Sequence, residues 1–199
     1  NALRAEGFAI LSTPNRGYRL RAGDDRLSEA GVRAALGAEY DELAVRVYRT
    51  LDSTNQEAQR LLSSGENCPL LILSEEQSAG RGRRGRSFAS PEGAGLYLSV
   101  IVKTGLPMQD AALATCAAAV AVRRAVKAVC GKELAIKWVN DLFWQGKKCC
   151  GILTEAVTDV ESGGLDYMVV GIGIDLVRPE GGWGAGLDDI VGALYEPGQ

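Results

Sequence analysis

Four arginines and three glycines interleave in Gly80-Arg81-Gly82-Arg83-Arg84-Gly85-Arg86, directly after a segment that reads as a strand. Glycine lets a backbone take positive φ and approach a ligand closely, and guanidinium offers a planar fork of donors matched to carboxylate and phosphate oxygens. The chemistry is that of an anion clamp, with a solvated basic turn and an Arg/Gly arm on nucleic acid as competing readings. Only Phe88 lies close by, which gives such an arm little to stack on. A second constellation is Lys137-Trp138-Val139-Asn140-Asp141, followed by Lys147-Lys148 and Gly151-Ile152-Leu153-Thr154-Glu155. With Leu142-Phe143-Trp144 and Gly151-Ile152-Leu153 as hairpin strands joined through Gln145-Gly146, this unit either neutralises a phosphate or is an ordinary hairpin with a charged, protected edge. The third feature, Gly171-Ile172-Gly173-Ile174-Asp175, reads as a strand end whose glycines permit a close approach.

Composition narrows the chemistry further. The chain has 199 residues and no His, so a Ser-His-Asp triad, a Cys–His pair, a His-ligated zinc and an imidazole base are excluded within it. With 22 Lys+Arg against 25 Asp+Glu, anion binding must come from local clustering rather than the global field. The five cysteines, Cys68, Cys116, Cys130, Cys149 and Cys150, are odd in number and hold no C-x-x-C pair. They read as free thiols of a reducing cytosol. The longest apolar stretch, residues 111–122, falls well short of the roughly 20 residues that span a bilayer.

The elements that must position these residues follow from local signals. Residues 2–6 read as a helix end stopped by Gly7, and residues 8–20 as a hairpin turning at Thr13-Pro14-Asn15-Arg16-Gly17. After a linker at 21–27, Ser28 caps a helix running to about Leu36, and residues 43–48 alternate as a strand. Ser53 or Thr54 opens a helix with a capping box to Gln56 or Glu57, closed by Gly65. Residues 70–73 and 96–103 read as strands, and 110–130 as an Ala/Val-rich, largely buried helix ended by Gly131. Strands at 135–138, 142–144, 151–156 and 168–172 follow with no full helix between them, which predicts an α+β mixed sheet flanked by helices rather than a doubly wound one.

Taken together, Asp52-Ser53-Thr54-Asn55, the run from Gln77 through the Arg/Gly loop, Gly95-Leu96-Tyr97-Leu98-Ser99, Lys137-Trp138-Val139-Asn140-Asp141, Lys148-Cys149-Cys150-Gly151-Ile152-Leu153 and Gly171-Ile172-Gly173-Ile174-Asp175 resemble the bacterial biotin–protein ligases in order and spacing. The resemblance covers about residues 43–175 and implies the catalytic fold shared with class II aminoacyl-tRNA synthetases. It implies three segments: residues 1–22 as the hairpin wing left from a winged-helix domain, 23–40 as linker and helix, and 41–199 as the ligase domain, truncated at its C-terminus. The DNA-reading helices of such a domain would lie upstream.

By the same resemblance, Ser53, Thr54, Asn55, Gln77, Tyr97 and Ser99 line the ureido pocket of biotin. Gly80, Arg81, Gly82, Arg83, Arg84 and Arg86 form the loop over biotin and the nucleotide, with Phe88 as a stacking face. Lys148 sits between the biotin carboxylate and the α-phosphate, so that Arg81, Arg83 and Lys148 carry catalysis. Lys137, Asn140, Gly151, Gly171, Gly173 and Asp175 complete the site. Three positions depart from the family pattern: Val139 replaces a proline, Phe88 a tryptophan, and Asp175 an asparagine, where a carboxylate would repel phosphate unless magnesium intervened. The implied function is ATP- and Mg2+-dependent activation of biotin to biotinyl-5'-adenylate and transfer to a lysine of a biotin carboxyl carrier protein. A cytoplasmic location, a homodimer and, for the longer parent, repression of transcription go with it. A lipoyl-type ligase and a DNA-binding regulator without catalysis are the alternatives; the R-x-x-G-G-G signature of the lipoyl enzymes is missing.

Overall fold

The structure, a computed structural model, describes residues 4, 8–21, 26–66, 68–104, 107, 110–158, 165–184 and 186–198. By its contacts the chain divides into two compact units, Asn1–Asp41 and Glu42–Gln199. The first holds a hairpin of β1 (Ile10–Thr13) and β2 (Gly17–Leu20) and the helix α1 (Glu29–Leu36). Gly31 N donates to Ser28 Oγ at 3.0 Å, so Ser28 caps α1. Apart from Arg4, the helix end expected at residues 2–6 lies outside the described residues.

The second unit is built on a seven-stranded sheet of order β3-β4-β5-β9-β8-β7-β6. Its strands are β3 (Ala44–Leu51), β4 (Leu70–Gln77), β5 (Gly95–Lys103), β6 (Ala135–Lys137), β7 (Asp141–Trp144), β8 (Lys147–Thr158) and β9 (Leu165–Asp175). Only β3 and β4 run parallel, and the helix α2 (Thr54–Ser63) makes their crossover. The others pair antiparallel, so the sheet is mixed and the fold α+β. Gln145 and Gly146, both at positive φ, turn β7 into β8, as a two-residue hairpin requires.

Strand alternation sends neighbouring side chains to opposite faces. Val169 packs with Ala58, Leu70, Ile72 and Ile101 beneath α2, whereas Val170 packs with Ala119, Val122, Leu142 and Ile152 beneath α3 (Ala111–Cys130). Gly131, in the left-handed conformation, ends α3. The expectation that this helix is largely buried needs correction: only Thr115, Ala119, Val122 and Val126 are buried, and Leu113, Val120 and Val129 face outward. One-sided packing against the sheet suffices, because alanine favours helix without demanding burial.

Asp175, at the end of β9, is the unusual member of the core. Only 2% of it is exposed, and its Oδ1 has no hydrogen-bond partner among the described residues. Burial pushes the carboxyl up from an ordinary 3.8 to about 8, offset only in part by the Lys148 ammonium. Near neutral pH the group is therefore mainly uncharged, and the repulsion of phosphate that its residue type suggests is muted. A carboxyl whose pKa is raised on folding keeps its proton in the folded chain while the unfolded chain ionises, so it removes stability as pH rises from about 4 to about 8. Asp175→Asn is expected to raise unfolding free energy by at least about 1 kcal/mol at pH 8, with the gain fading toward pH 4. Urea denaturation at both pH values checks this, and an equal change at the two would contradict the assignment.

Candidate active site

The first turn of α2 is polar yet buried: Ser53, Thr54 and Asn55 are each under 5% exposed. Such groups must find partners inside the protein, and Thr54 and Asn55 find them in the sheet rather than in the helix. The expected capping box does not form, since Ser53 makes no side-chain cap. The Thr54 hydroxyl and backbone N–H both reach Gln77 Oε1, at 3.2 and 2.8 Å. Asn55 Nδ2 donates to Leu153 O at 3.2 Å and to Glu155 Oε2 at 2.8 Å. Both are acceptors only, which turns Asn55 Oδ1 toward the Ser99 hydroxyl, 2.6 Å away. Ser99 also lies 2.8 Å from Thr54 Oγ1. Gln77 Nε2 continues the chain to Ser90 Oγ at 2.8 Å, and Ser90 to Phe88 O at 3.1 Å. The result is a neutral floor of amides and hydroxyls, tied together from helix to sheet to loop.

Above this floor the Arg/Gly segment is itself a small hairpin. Phe88 N donates to Gly80 O at 2.8 Å and Gly82 N to Arg86 O at 2.7 Å, around a turn with Arg84 and Gly85 at positive φ. Phe88 packs against β8 and β9, where only glycine leaves room: a Cβ on Gly173 would stand 2.5 Å from the ring and one on Gly151 2.9 Å. Three cations face the same space. Arg81 Nη2 is 3.2 Å from Glu155 Oε1, Lys148 Nζ is 2.7 Å from Asp141 Oδ1, and Arg83 Nη1 donates to Asn140 Oδ1 at 3.0 Å. Arg81 and Lys148 are thus matched by carboxylates, whereas the guanidinium of Arg83 is held by a neutral amide.

Between floor and cations lies a small cavity of about 50 Å³, continuous with open solvent. Of the residues expected from the sequence, Ser53, Thr54, Asn55, Gln77, Arg81, Gly82, Arg83, Phe88, Asn140, Lys148, Gly151, Gly171 and Gly173 line it. The others do not. Ser99 lies beneath, holding Thr54 and Asn55, and Tyr97 is fully buried with its hydroxyl donating to Pro91 O at 3.1 Å. Gly80 packs against Phe88 O, Arg84 and Arg86 project into solvent, and Asp175 is enclosed in the core. Lys137 points away, its amine 5.3 Å from the centre of the Phe143 ring. Sequence reasoning missed Ile152, Leu153 and Ile172 as lining residues and Asp141 and Glu155 as charge partners. Alternation from Gly151 through Leu153 would have put Glu155 on the site's face; the apolar residues carry no signal that separates lining from core. Among the described residues no three His, Cys, Asp or Glu gather as metal ligands, and no helix is long and apolar enough to cross a membrane.

Comparison with known proteins agrees with this geometry. The bifunctional ligase/repressor BirA of Bacillus subtilis is 33% identical over 194 residues, covering 98% of this chain and 59% of that protein. The biotin–[acetyl-CoA-carboxylase] ligase of Paracoccus denitrificans is 40% identical over 138 residues, 66% of this chain and 54% of that one. The chain thus spans less than two thirds of the length of these curated relatives. Among solved structures, the biotin protein ligase from Aquifex aeolicus in complex with biotin and ATP matches 76% of this chain and 60% of its own at 27% identity and a TM-score of 0.59. The biotin acetyl coenzyme A carboxylase synthetase from Helicobacter pylori with bound biotinylated ATP matches 69% and 63%, at 27% identity and a TM-score of 0.56. Residues 47–175 match the family model itself, and the chain belongs to the biotin/lipoate A/B protein ligase family.

Proposed function

We propose that this chain activates biotin with ATP to biotinyl-5'-adenylate and passes the biotinyl group to a lysine of a biotin carrier domain. The observation that carries this is the meeting of a neutral floor and a cationic wall in one cavity. A ureido ring offers one carbonyl acceptor and two N–H donors, which hydroxyls, amides and backbone satisfy without charge. The carboxylate at the other end of biotin, and the phosphates of ATP, need cations. Relatives named as biotin ligases, and solved neighbours holding biotin with ATP, support the same substrates.

In the first step a biotin carboxylate oxygen attacks the α-phosphorus and the bond to pyrophosphate breaks. In the second, a lysine amine attacks the acyl carbon of the mixed anhydride, AMP leaves with the bonding pair, and the amine loses its proton to solvent. No enzyme nucleophile is needed, which suits a chain without His. Arg81, Arg83 and Lys148 hold the two anions together and counter charge on the phosphoryl oxygens; Asn140 orients Arg83, and Phe88 offers a face to the adenylate. With no carboxylate cluster among the described residues, magnesium would come already bound to the nucleotide phosphates, where the ion would shield their charge. A cytoplasmic setting and a homodimer through the sheet edge belong to the same proposal. The relatives named as ligase/repressors support reading residues 1–22 as the hairpin wing of a DNA-binding domain.

Titration calorimetry of biotin, with and without ATP and magnesium, alongside pyrophosphate release, tests the proposal: binding with release is expected, and absence of binding by a folded sample would overturn it. Lys148→Ala and Arg83→Ala are each expected to slow adenylate formation by about 10²–10³, the usual effect of removing one charge-stabilising donor. A loss under about threefold in both would remove them from catalysis. Ser99→Ala, which takes the buried donor from Asn55, is expected to weaken biotin binding by about tenfold; unchanged affinity would separate the floor from the ligand.

A further inference from the structure

Glu155 stands on β8 two residues past Leu153, and its two carboxylate oxygens reach into different layers of the site. Oε2 accepts from Asn55 Nδ2 at 2.8 Å, inside the floor, and Oε1 meets Arg81 Nη2 at 3.2 Å, on the loop above. An exposed ion pair by itself contributes little, because both side chains lose freedom to form it. Here one partner is already immobile. Asn55 is 3% exposed and is held from the other side by Ser99, so Glu155 cannot swing away without leaving a buried amide proton unpaired. The backbone of Arg81 is likewise fixed, by its bridge to Ser87. What remains free is the direction of its guanidinium, and Glu155 sets it.

Resting on the biotin-activating reading, we propose that Glu155 is a positioning residue that registers the loop against the floor. It turns the Asn55 amide to face Ser99 and holds the Arg81 guanidinium at the rim of the cavity. The ureido-facing and carboxylate-facing ends of the site then keep one fixed separation, and the carboxylate of a seated substrate meets its cation in line for attack. Glu155 itself does not line the cavity and touches no reacting atom.

The test is a double-mutant cycle in the full chain, reading biotin affinity by calorimetry and adenylate formation at saturating biotin. Glu155→Gln keeps an acceptor for Asn55 but removes the charge opposite Arg81. It is expected to leave biotin affinity within about threefold and to slow adenylate formation by about tenfold, yet to change the rate by less than about twofold in an Arg81→Ala background. Glu155→Ala, which also releases Asn55, is expected to weaken biotin binding by about tenfold as well. Equal losses from Glu155→Gln in both backgrounds, or none in either, would overturn the proposal, as would Glu155→Ala binding biotin as tightly as Glu155→Gln. If the unsubstituted, folded chain fails to bind biotin, the functional reading falls and this inference with it; biotin binding with additive variants sinks the inference alone.

Discussion

The Asn55 amide is the point on which the site's geometry depends. It sits in the first turn of α2, almost without solvent, and its oxygen and both amide protons are committed to Ser99, Leu153 and Glu155. A buried amide left unpaired is costly, so this arrangement fixes at once the seat of α2 on the sheet, the orientation of Ser99 on β5 and the face of β8 that looks into the cavity. The absence of a side chain at Gly171 makes it possible, because a Cβ there would collide with the Asn55 amide. Thr54, Gln77 and Ser90 extend the same set of bonds to the far end of the Arg/Gly loop.

Charge is organised with similar restraint. The chain is mildly acidic overall, and the cationic wall is a local arrangement in which Glu155 and Asp141 hold Arg81 and Lys148 in place. Fixed, partly neutralised cations need little reorganisation when an anion arrives, which is what electrostatic catalysis of phosphoryl chemistry asks of a protein. Asp175 fits the same economy: enclosed and mainly protonated near neutral pH, it adds no competing negative charge behind Lys148.

Much of this was legible in the residues. The order of strands and helices, the lack of a helix among the described residues between the last four strands and the hairpin at Gln145-Gly146 all follow from local signals that act within a few residues: alternation, caps and turn glycines. The residues also suggested that the Arg/Gly loop, Lys148 and Asn140 belong together, because runs of guanidinium and glycine have few structural uses, and they line one cavity. The capping box was misread, since local chemistry offered Ser53 and Thr54 helical partners while the sheet offered Thr54 a different one.

What sequence determined by itself was therefore the menu of elements and the groups available for chemistry: no imidazole, no C-x-x-C pair, and arginine, lysine and glycine gathered in two short segments. Tertiary structure alone decided which faces meet. Pairing β5, β9 and β8 in register brings Ser99, Gly171 and Leu153 to one level, though they are separated by tens of residues in the chain. That pairing decided that Tyr97 and Asp175 would lie beneath the site rather than in it, that Lys137 would point away, and that Glu155 and Asp141 would become partners of the clamp. Such outcomes depend on burial and on contacts between distant strands, and neither is a property of any single segment.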